Sequence, residues 1–426
     1  MNNQATVQSY LARVSNAIES EDGRTLASLL KLDDGHARDL QQVMRSVNSG
    51  VVETTVRRNL DDTWSEVVWC HLKVVKVVAV SDKQDRSRKY EGDSVQAAEL
   101  QNSVAQTFHQ VFASQTRWCL PVLYAVNGDL RMLSIEADEV LRTSGEKGGK
   151  LEEAARTMNK AFSYCVTDRF SAPDKSRKWG TYHIVNLLFK TYFRLTQTNL
   201  CASILRSLTA GDIPPLDRFP IADQLTFKYH VGVLAFYNEQ YKKADEDLTF
   251  ALRHCPRTRT GKKRSSARVE RNRLLILNYL VPTRFILGIL PHPSLLKKYP
   301  ALQYLYGNFA TAIRTGDIRL FDESLYHLQR DLIERGTYLT VERARALAAR
   351  GLFKKVWLLH DGSSRIPMDQ FQKALHLSGT DTSMEAVACM LANMIDKGYL
   401  KGYLSHEKQM VVTGKEPFPN VKSVPI

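Results

Sequence analysis

Residues 366–413 decide the fold of this chain: IPMDQFQKAL (366–375), a polar break, then SMEAVACMLANMIDKGYLKGYLSHEKQMVVT (383–413). The first piece predicts a short helix with four apolar residues on one face, namely Ile366, Phe371, Leu375 and Leu377. The second piece begins with apolar residues at helical spacing. After Gly398, a residue type that commonly ends helices, the period shortens to two. We therefore predict a hairpin whose apolar residues are Leu400, Leu404, Met410 and Val412.

Two helices followed by a hairpin are the outline of a winged-helix module. Such modules bind nucleic acid in some proteins and dock other proteins elsewhere, so the fold alone does not fix the function. The predicted solvent side of the second helix is a poor surface for phosphate oxygens, with Glu385, Asn393 and Asp396. The positive charge lies on the hairpin side, where the candidate nucleic-acid-binding residues are Lys397, Lys401, Lys408 and Lys415. Their contacts would be largely independent of base sequence; the alternative is a merely solvated lysine face.

The composition indicates a globular chain with an excess of basic residues. Its 426 residues are enough for two or three domains, and the net charge is +14. Such a charge favours a polyanionic partner, either nucleic acid or an acidic protein segment. The six cysteines form no CxxC pair or zinc-like spacing, so we expect reduced, mostly buried thiols and no metal site. No signal-peptide layout and no apolar segment of membrane-spanning length is found, which predicts a soluble intracellular protein without membrane insertion.

One segment, RTRTGKKRSSARVERNR (257–273), has eight basic residues and one acid, which gives half of the net charge. Because Gly, Ser and Arg are abundant and no apolar stripe is present, we predict an exposed mobile loop. The loop would bind phosphates or serve as a nuclear import signal. The candidate nucleic-acid-binding residues in it are Lys262, Lys263, Arg264 and Arg268. The alternative is an inert solvated insertion.

The segment KYHVGVLAFYNEQYKKADEDLTFALRHCP (228–256) has the spacing of a tetratricopeptide repeat. The residues at the repeat positions are Gly232, Tyr241, Ala244, Leu248, Ala251 and Pro256. Residues 179–208 have a comparable helix, turn, helix layout, so we predict a right-handed solenoid with a groove for an extended partner. The predicted fold class is mostly α, a TPR-like helical-repeat solenoid followed by a C-terminal winged helix. The alternative is a helical stack that binds no peptide.

The rest of the chain is predicted to be largely helical. Residues 33–59 are polar and weakly periodic, which favours a loop or a loosely held helix. Residues 64–80 are rich in valine, but their apolar positions fit one helical face, so we predict a helix there. SGEKGGK (144–150) lacks the first glycine and the hydroxyl residue of a P-loop, so we reject nucleotide binding. No HExxH or GxSxG spacing occurs; we expect a protein that is not an enzyme and needs no cofactor.

Two further stretches resemble the PCI family, whose members join helical repeats to a C-terminal winged helix and assemble into multisubunit particles. They are AIRTGDIRLFDESL (312–325) and LFKKVWLL (352–359). Within that family, residues 178–195 and 392–412 look like the PCI subunit of nuclear mRNA-export complexes. We expect three parts: an N-terminal helical region (1–175), TPR-like repeats leading into the PCI domain (176–340), and the winged-helix part with the C-terminal tail (341–426).

The resemblance implies a non-catalytic adaptor that couples transcription to mRNA export at the nuclear pore. The implied partners are a larger PCI-containing export scaffold protein, a small acidic disordered subunit, RNA or DNA, and nuclear pore components. The implied location is the nucleus, including the nuclear envelope periphery, with a cytoplasmic pool. Lys401, in the KGYLSH motif, is the wing residue that the resemblance supports best. The alternative is a PCI scaffold subunit of a COP9 signalosome-like or proteasome-lid-like assembly without nucleic-acid binding, which would not explain the charge of residues 257–273.

Overall fold

The computed structural model describes residues 2–33, 35–80, 90–169, 171–256 and 263–424. The chain divides into two compact units, Met1–Phe227 and Lys228–Ile426. This division is coarser than the three predicted segments, whose boundaries stay a prediction. Each unit is described by itself below.

The first unit consists of helices and one short antiparallel strand pair. Its helices are α1 (Asn2–Glu19), α2 (Gly23–Leu29), α3 (Gly35–Ser46), α4 (Ser49–Asn59), α5 (Asp62–Val77), α6 (Ser94–Phe112), α7 (Leu120–Thr143), α8 (Lys150–Val166), α9 (Thr181–Arg194) and α10 (Asn199–Ala210). Strands β1 (Val78–Val80) and β2 (Tyr90–Gly92) pair with each other. Helix α11 (Ile221–Tyr237) contains the boundary between the units.

For residues 33–59 the sequence left open a loop or a loosely held helix, and the structure has two helices there, α3 and α4. Both helices bury a narrow apolar stripe, and Asn48 caps α4 by accepting a hydrogen bond from the Gly50 amide. A narrow stripe among many polar residues gives a weak periodic signal, which explains why the sequence did not decide between a loop and a helix. The helix predicted over residues 64–80 is confirmed as far as Val77; its last three residues leave the helix and form β1.

The second unit joins stacked helices to a small sheet. Its elements after α11 are α12 (Tyr241–His254), α13 (Lys263–Ile286), α14 (Pro293–Lys298), α15 (Pro300–Thr315), α16 (Ile318–Glu334), α17 (Tyr338–Arg343), α18 (Arg345–Leu359), β3 (Arg365–Pro367), α19 (Met368–Leu377), α20 (Met384–Asp396), β4 (Gly402–Ser405) and β5 (Met410–Thr413). Helical elements dominate both units. The predicted mostly α fold with a C-terminal winged helix is confirmed.

The predicted repeat pair is formed by α11 and α12. Ala244, Leu248 and Ala251 are fully buried along α12. A β-carbon on Gly232 of α11 would lie 2.8 Å from Cγ of Leu248, so the backbone of α11 approaches α12 closely only because this position lacks a side chain. The small residues of the repeat pattern therefore have the packing role that their spacing predicts.

The turn between α15 and α16 fits closely against α18. Gly316 ends α15 in the left-handed conformation, with φ 66° and ψ 32°, and Asp317 caps α16 by accepting a hydrogen bond from the Leu320 amide. A β-carbon on Gly316 would lie only 2.6 Å from the Leu352 amide nitrogen in α18. Helix α18 also packs along α15 and α16. The repeats and the winged helix are thus joined by direct backbone packing at this turn.

The winged helix has a three-stranded antiparallel sheet with β5 between β3 and β4. Its core continues from α18 into the sheet and includes Phe353, Ile366, Phe371, Leu391 and Val411.

Three details of the prediction for this module are wrong. Ile366 lies on β3 rather than on α19, because Pro367 ends the strand immediately before the helix. Leu377, at the end of α19, is 90% exposed. In β5 the core side chain is Val411 instead of Met410 and Val412, a shift of one residue that exchanges the two faces of a strand.

Candidate nucleic-acid interface

Three of the predicted lysines lie at the base of the β4–β5 hairpin. The Lys401 amide donates to the Pro417 carbonyl (2.7 Å), and the Lys401 carbonyl accepts from the Gly414 amide (3.2 Å). Lys401 and Lys415 therefore flank the position where the two strands begin and end. Lys397 caps the C-terminus of α20, five residues before β4 begins at Gly402. We call Lys397, Lys401 and Lys415 the hairpin-base lysines.

The chain geometry after α20 explains why these lysines point into solvent. Gly398 has φ 71°, and the Leu400 amide returns to donate to the Met394 carbonyl at 3.0 Å. This tight turn buries Tyr399 and Leu400. The three hairpin-base lysines are exposed, and within the described part of the chain none of them forms an ion pair. Exposed ammonium groups that form no ion pair are suited to phosphate contacts, although Asp396 and Glu416 are sequence neighbours of Lys397 and Lys415.

Lys408 belongs to a different part of the hairpin. It lies in the turn between β4 and β5, next to Glu407, and it is exposed. Each strand is four residues long, so at about 3.3 Å per residue the turn lies roughly 13 Å from the hairpin base. The structure therefore brings together three of the four wing lysines and places the fourth at the far end.

The basic segment 257–273 is only partly a loop. Residues 257–262, including Lys262, lie outside the described residues, whereas α13 begins at Lys263 and contains Arg264 and Arg268. Arg268 is exposed on this helix. The mobile loop predicted for residues 257–273 is wrong over residues 263–273, because these residues form part of α13. Arg273 also binds the folded chain: it donates to the Tyr299 hydroxyl at 3.2 Å and to the carbonyls of Leu252 and Cys255 at 3.3 Å.

An apolar groove lies between α11, α16 and α17; the repeat pattern predicts a groove in this part of the chain, but it did not identify the residues that line it. It has a volume of about 490 Å3. We define the groove by its apolar lining, namely Phe236, Tyr237, Ile333, Tyr338 and Leu339. Ile333 and Leu339 are 55% and 69% exposed, which is unusual for aliphatic side chains so close together. Gly336 keeps the groove open, because a β-carbon there would lie 2.9 Å from the Tyr237 hydroxyl.

The glycine-rich connection before α8 is already occupied by an anionic side chain. The Asp138 carboxylate accepts hydrogen bonds from the amides of Gly149 (2.8 Å), Lys150 (2.8 Å) and Leu151 (3.0 Å). In a P-loop, amides of this kind bind phosphate. Here these amides donate to a carboxylate of the same chain instead, in agreement with the rejection of a nucleotide site.

Other features bear on the predicted absence of metal and membrane segments. Five of the six cysteines are buried as free thiols and Cys389 is exposed, which agrees with the prediction of reduced and mostly buried cysteines. Burial raises the pKa of the Cys165 and Cys201 thiols to about 12. Among the residues that the structure describes, no cluster of three or more His, Cys, Asp or Glu side chains could hold a metal ion. No described helix combines the length and the apolar character needed to cross a bilayer.

A helical-repeat stack that packs directly against a C-terminal winged helix defines the class of PCI-domain proteins. The PCI domain family model matches residues 326–415, from the middle of α16 to the end of the hairpin. The chain is 35% identical to PCI domain-containing protein 2 homolog of Drosophila melanogaster, over 98% of this chain and 99% of the relative. It is 31% identical to PCI domain-containing protein 2 of Xenopus laevis over the same shares. It is 34% identical to Protein CSN12 homolog of Mycosarcoma maydis, over 97% of both chains.

The chain belongs to the PCI family, in the group that contains PCI domain-containing protein 2 and the CSN12 homologs. The similarity covers both compact units, so the N-terminal helices are part of the shared architecture. The protein is thus a PCI-domain subunit of a multiprotein complex.

Proposed function

We propose that the protein is a non-catalytic adaptor subunit of a nuclear mRNA-export complex, which binds RNA or DNA through the hairpin-base lysines. The observation that supports this proposal is that three exposed lysines without an ion pair among the described residues lie close in sequence to the start and the end of the hairpin. Three lysines near one end of the hairpin can contact neighbouring phosphates of one strand, whereas lysines scattered over the surface cannot. Lys408 contributes less, because it lies at the other end of the hairpin.

Protein docking is the second part of the proposed function. The partners are a larger PCI-containing export scaffold protein, which docks on the PCI domain, and a small acidic disordered subunit. The net charge of +14 favours an acidic partner, and the apolar groove offers a place for an extended segment. Nuclear pore components then anchor the complex, with the protein located in the nucleus and at the nuclear envelope periphery.

A scaffold subunit without nucleic-acid binding, in a COP9 signalosome-like or proteasome-lid-like assembly, is the second candidate function. The surface of α20 favours it, because Glu385, Asn393 and Asp396 are all exposed there, as the sequence predicts. In a winged helix that reads duplex DNA through this helix, two carboxylates would repel the phosphates. This observation argues against duplex reading by α20; of the hairpin-base lysines, only Lys397 is adjacent to one of these carboxylates.

The two functions are separated by purifying the tagged full-length chain from nuclear extract after crosslinking with ultraviolet light. We expect recovery of a larger PCI-containing protein, a small acidic protein and crosslinked RNA. Changing the hairpin-base lysines to glutamate should remove the RNA and retain both proteins. The matched control changes three exposed lysines elsewhere in the second unit, Lys242, Lys243 and Lys297, to glutamate, which gives the same net charge. Recovery of signalosome or proteasome-lid subunits, with RNA equally present or absent in both variants, would refute the adaptor.

A further inference from the structure

A small cavity lies between the helix that follows the repeats, α18, and the second helix of the winged helix, α20. Its volume is about 200 Å3, and we call it the α18/α20 cavity. Its floor is apolar and is formed by Ala346, Ala349, Met390, Met394 and Tyr399. Its rim is polar and includes Glu342, Asn393 and Lys397. An apolar floor with a few convergent polar groups is the usual layout of a site for a small organic group.

The rim contains both fixed and available polar groups. Two arginines at the rim are held by acids: Arg345 donates to both Asp322 oxygens, at 2.6 and 2.7 Å, and Arg343 forms an ion pair with Glu239. No hydrogen bond or ion pair of the described residues involves the side chains of the other three rim residues defined above. A carboxylate, an amide and an ammonium group therefore face the cavity with their hydrogen-bonding capacity unused.

The chemistry of the rim selects a polar flat ring over an apolar side chain. A leucine or phenylalanine of a partner protein would fill the floor, but it would offer no hydrogen-bonding partner to the Asn393 amide or the Glu342 carboxylate at the rim. A nucleobase fills the same space and brings its own donors and acceptors, which an amide can pair with in a bidentate manner. The two methionines of the floor adapt readily to either face of such a ring.

The position of the cavity connects it to the hairpin base. Lys397 lines the cavity and is also one of the hairpin-base lysines. A strand whose phosphates contact these lysines therefore passes the cavity mouth. A base in a duplex is stacked and paired and is not available to such a cavity, whereas a base in a single strand is free to turn into it.

We infer that the α18/α20 cavity binds one base of a single-stranded RNA or DNA whose phosphates lie on the hairpin-base lysines. The inference rests on the proposed function, because the strand is held by the same lysines. It adds base contact to a surface that otherwise binds only phosphates.

The experiment compares two single-stranded oligonucleotides of equal length, one of them with all its bases replaced by abasic sites, so that the phosphates stay the same. Binding to the full-length protein is measured by fluorescence anisotropy at several salt concentrations. Ala346→Leu fills the cavity and Asn393→Ala removes the rim amide, and neither changes the charge. Ala392→Leu is the matched control, because Ala392 is exposed on α20 and does not line the cavity. Circular dichroism verifies that each variant is folded.

The intact strand should bind about five- to tenfold more tightly than the abasic strand, since one base in contact with protein is worth at least that factor. The advantage should disappear in Ala346→Leu and in Asn393→Ala and persist in Ala392→Leu. Equal binding of both strands with steep salt dependence would overturn the cavity as a base site and leave the phosphate contacts in place. Absence of salt-dependent binding would overturn both the cavity site and the proposed function.

Two other outcomes would assign the cavity to a different ligand. Competition by micromolar adenosine monophosphate would indicate a site for free nucleotides rather than for a strand. Loss of a copurifying protein in Ala346→Leu, with unchanged oligonucleotide binding, would indicate a protein side chain in the cavity. Either result would overturn the inference.

Discussion

The turn at Gly316 gives a sharp test of how the repeats are joined to the winged helix. In Gly316→Ala the new β-carbon meets two separate costs. The left-handed backbone conformation costs about 1 kcal/mol for a residue other than glycine. In addition, the β-carbon would lie 2.6 Å from the Leu352 amide nitrogen and 2.8 Å from the Gly351 carbonyl carbon, both of which belong to the backbone of α18. Forcing two backbones apart costs about 2 kcal/mol more.

Gly379→Ala is the matched control, because Gly379 also has a left-handed conformation, with φ 78°, in the same unit. The nearest atom to its new β-carbon is Cδ of Arg319 at 3.1 Å, in a flexible side chain that can move aside. We therefore expect a loss of about 1 kcal/mol in the control and about 3 kcal/mol in Gly316→Ala.

The difference in stability loss between Gly316→Ala and Gly379→Ala is measured by hydrogen exchange and mass spectrometry on peptides from α18. A local measurement is necessary because a chain of two units does not unfold in one step. At about 1.4 kcal/mol for each factor of ten, protection of α18 should fall roughly fivefold in Gly379→Ala and roughly a hundredfold in Gly316→Ala. Equal losses in the two variants would show that backbone strain alone matters, and the close packing of the turn on α18 would be refuted.

Three further predictions concern the repeats and the first unit. Gly232→Ala should destabilise the α11–α12 pair by about 1–3 kcal/mol, because its β-carbon meets the facing helix. Gly128→Ala is the control and should not destabilise α7, because no atom lies within 4 Å of its new β-carbon. Hydrogen exchange in peptides of each helix measures both effects. Asp138→Ala should cost about 1–2 kcal/mol, because it leaves three amides at the N-terminal end of α8 without their acceptor. Hydrogen exchange in the first turn of α8 should become faster, and unchanged exchange would contradict the cap. Burial, with a smaller contribution from His36, lowers the pKa of His71 to about 3. The unfolded chain protonates this histidine below about pH 6.5, whereas the folded chain does not, so the stability of the first unit should be complete above that pH and fall towards pH 4. In His71→Leu the thermal midpoint should depend less on pH. An identical pH profile in the variant would argue against this role of His71.

Much of the winged helix could be predicted from sequence because its signals are local. The change from helical period to period two, with Gly398 at the junction, correctly predicts two helices and a hairpin. The register of β5 could not be predicted, because it depends on the hairpin turn. Gln409 adopts φ 45° in that turn, a backbone conformation that glycine usually provides. The geometry of the turn places the Val411 side chain in the core.

The errors elsewhere have the same physical origin, namely contacts between residues that are distant in sequence. The segment after Lys263 is helical although its composition is typical of a loop, and Arg273 is held by a hydroxyl group 26 residues further along the chain. The lysines of the hairpin could be selected as candidates from charge alone. That three of them share the hairpin base while Lys408 does not depends on strand pairing, which the sequence does not show directly.

The α18/α20 cavity had no sequence signal, and the repeat pattern predicted a groove without identifying the residues that line it. Each is formed by helices that meet in the folded unit, and the residues that shape them are ordinary at the level of sequence. Gly336 has the pattern of a helix end, and only the structure shows that the Tyr237 hydroxyl leaves no room for a side chain there. The exposure of Ile333 and Leu339 is likewise a property of the fold.

The salt dependence of binding to single-stranded RNA tests the central proposal most directly. Each phosphate contact with a single strand contributes about 0.7 to the slope of log affinity against log salt concentration. Changing the three hairpin-base lysines to glutamate should therefore reduce the slope by about 2. When salt is raised from 50 to 200 mM, the factor by which affinity falls should be roughly 18 times smaller for the variant than for the natural protein. Lys408→Glu should change the slope much less. Parallel slopes for the natural protein and the triple variant would contradict the assignment of phosphate binding to the hairpin base.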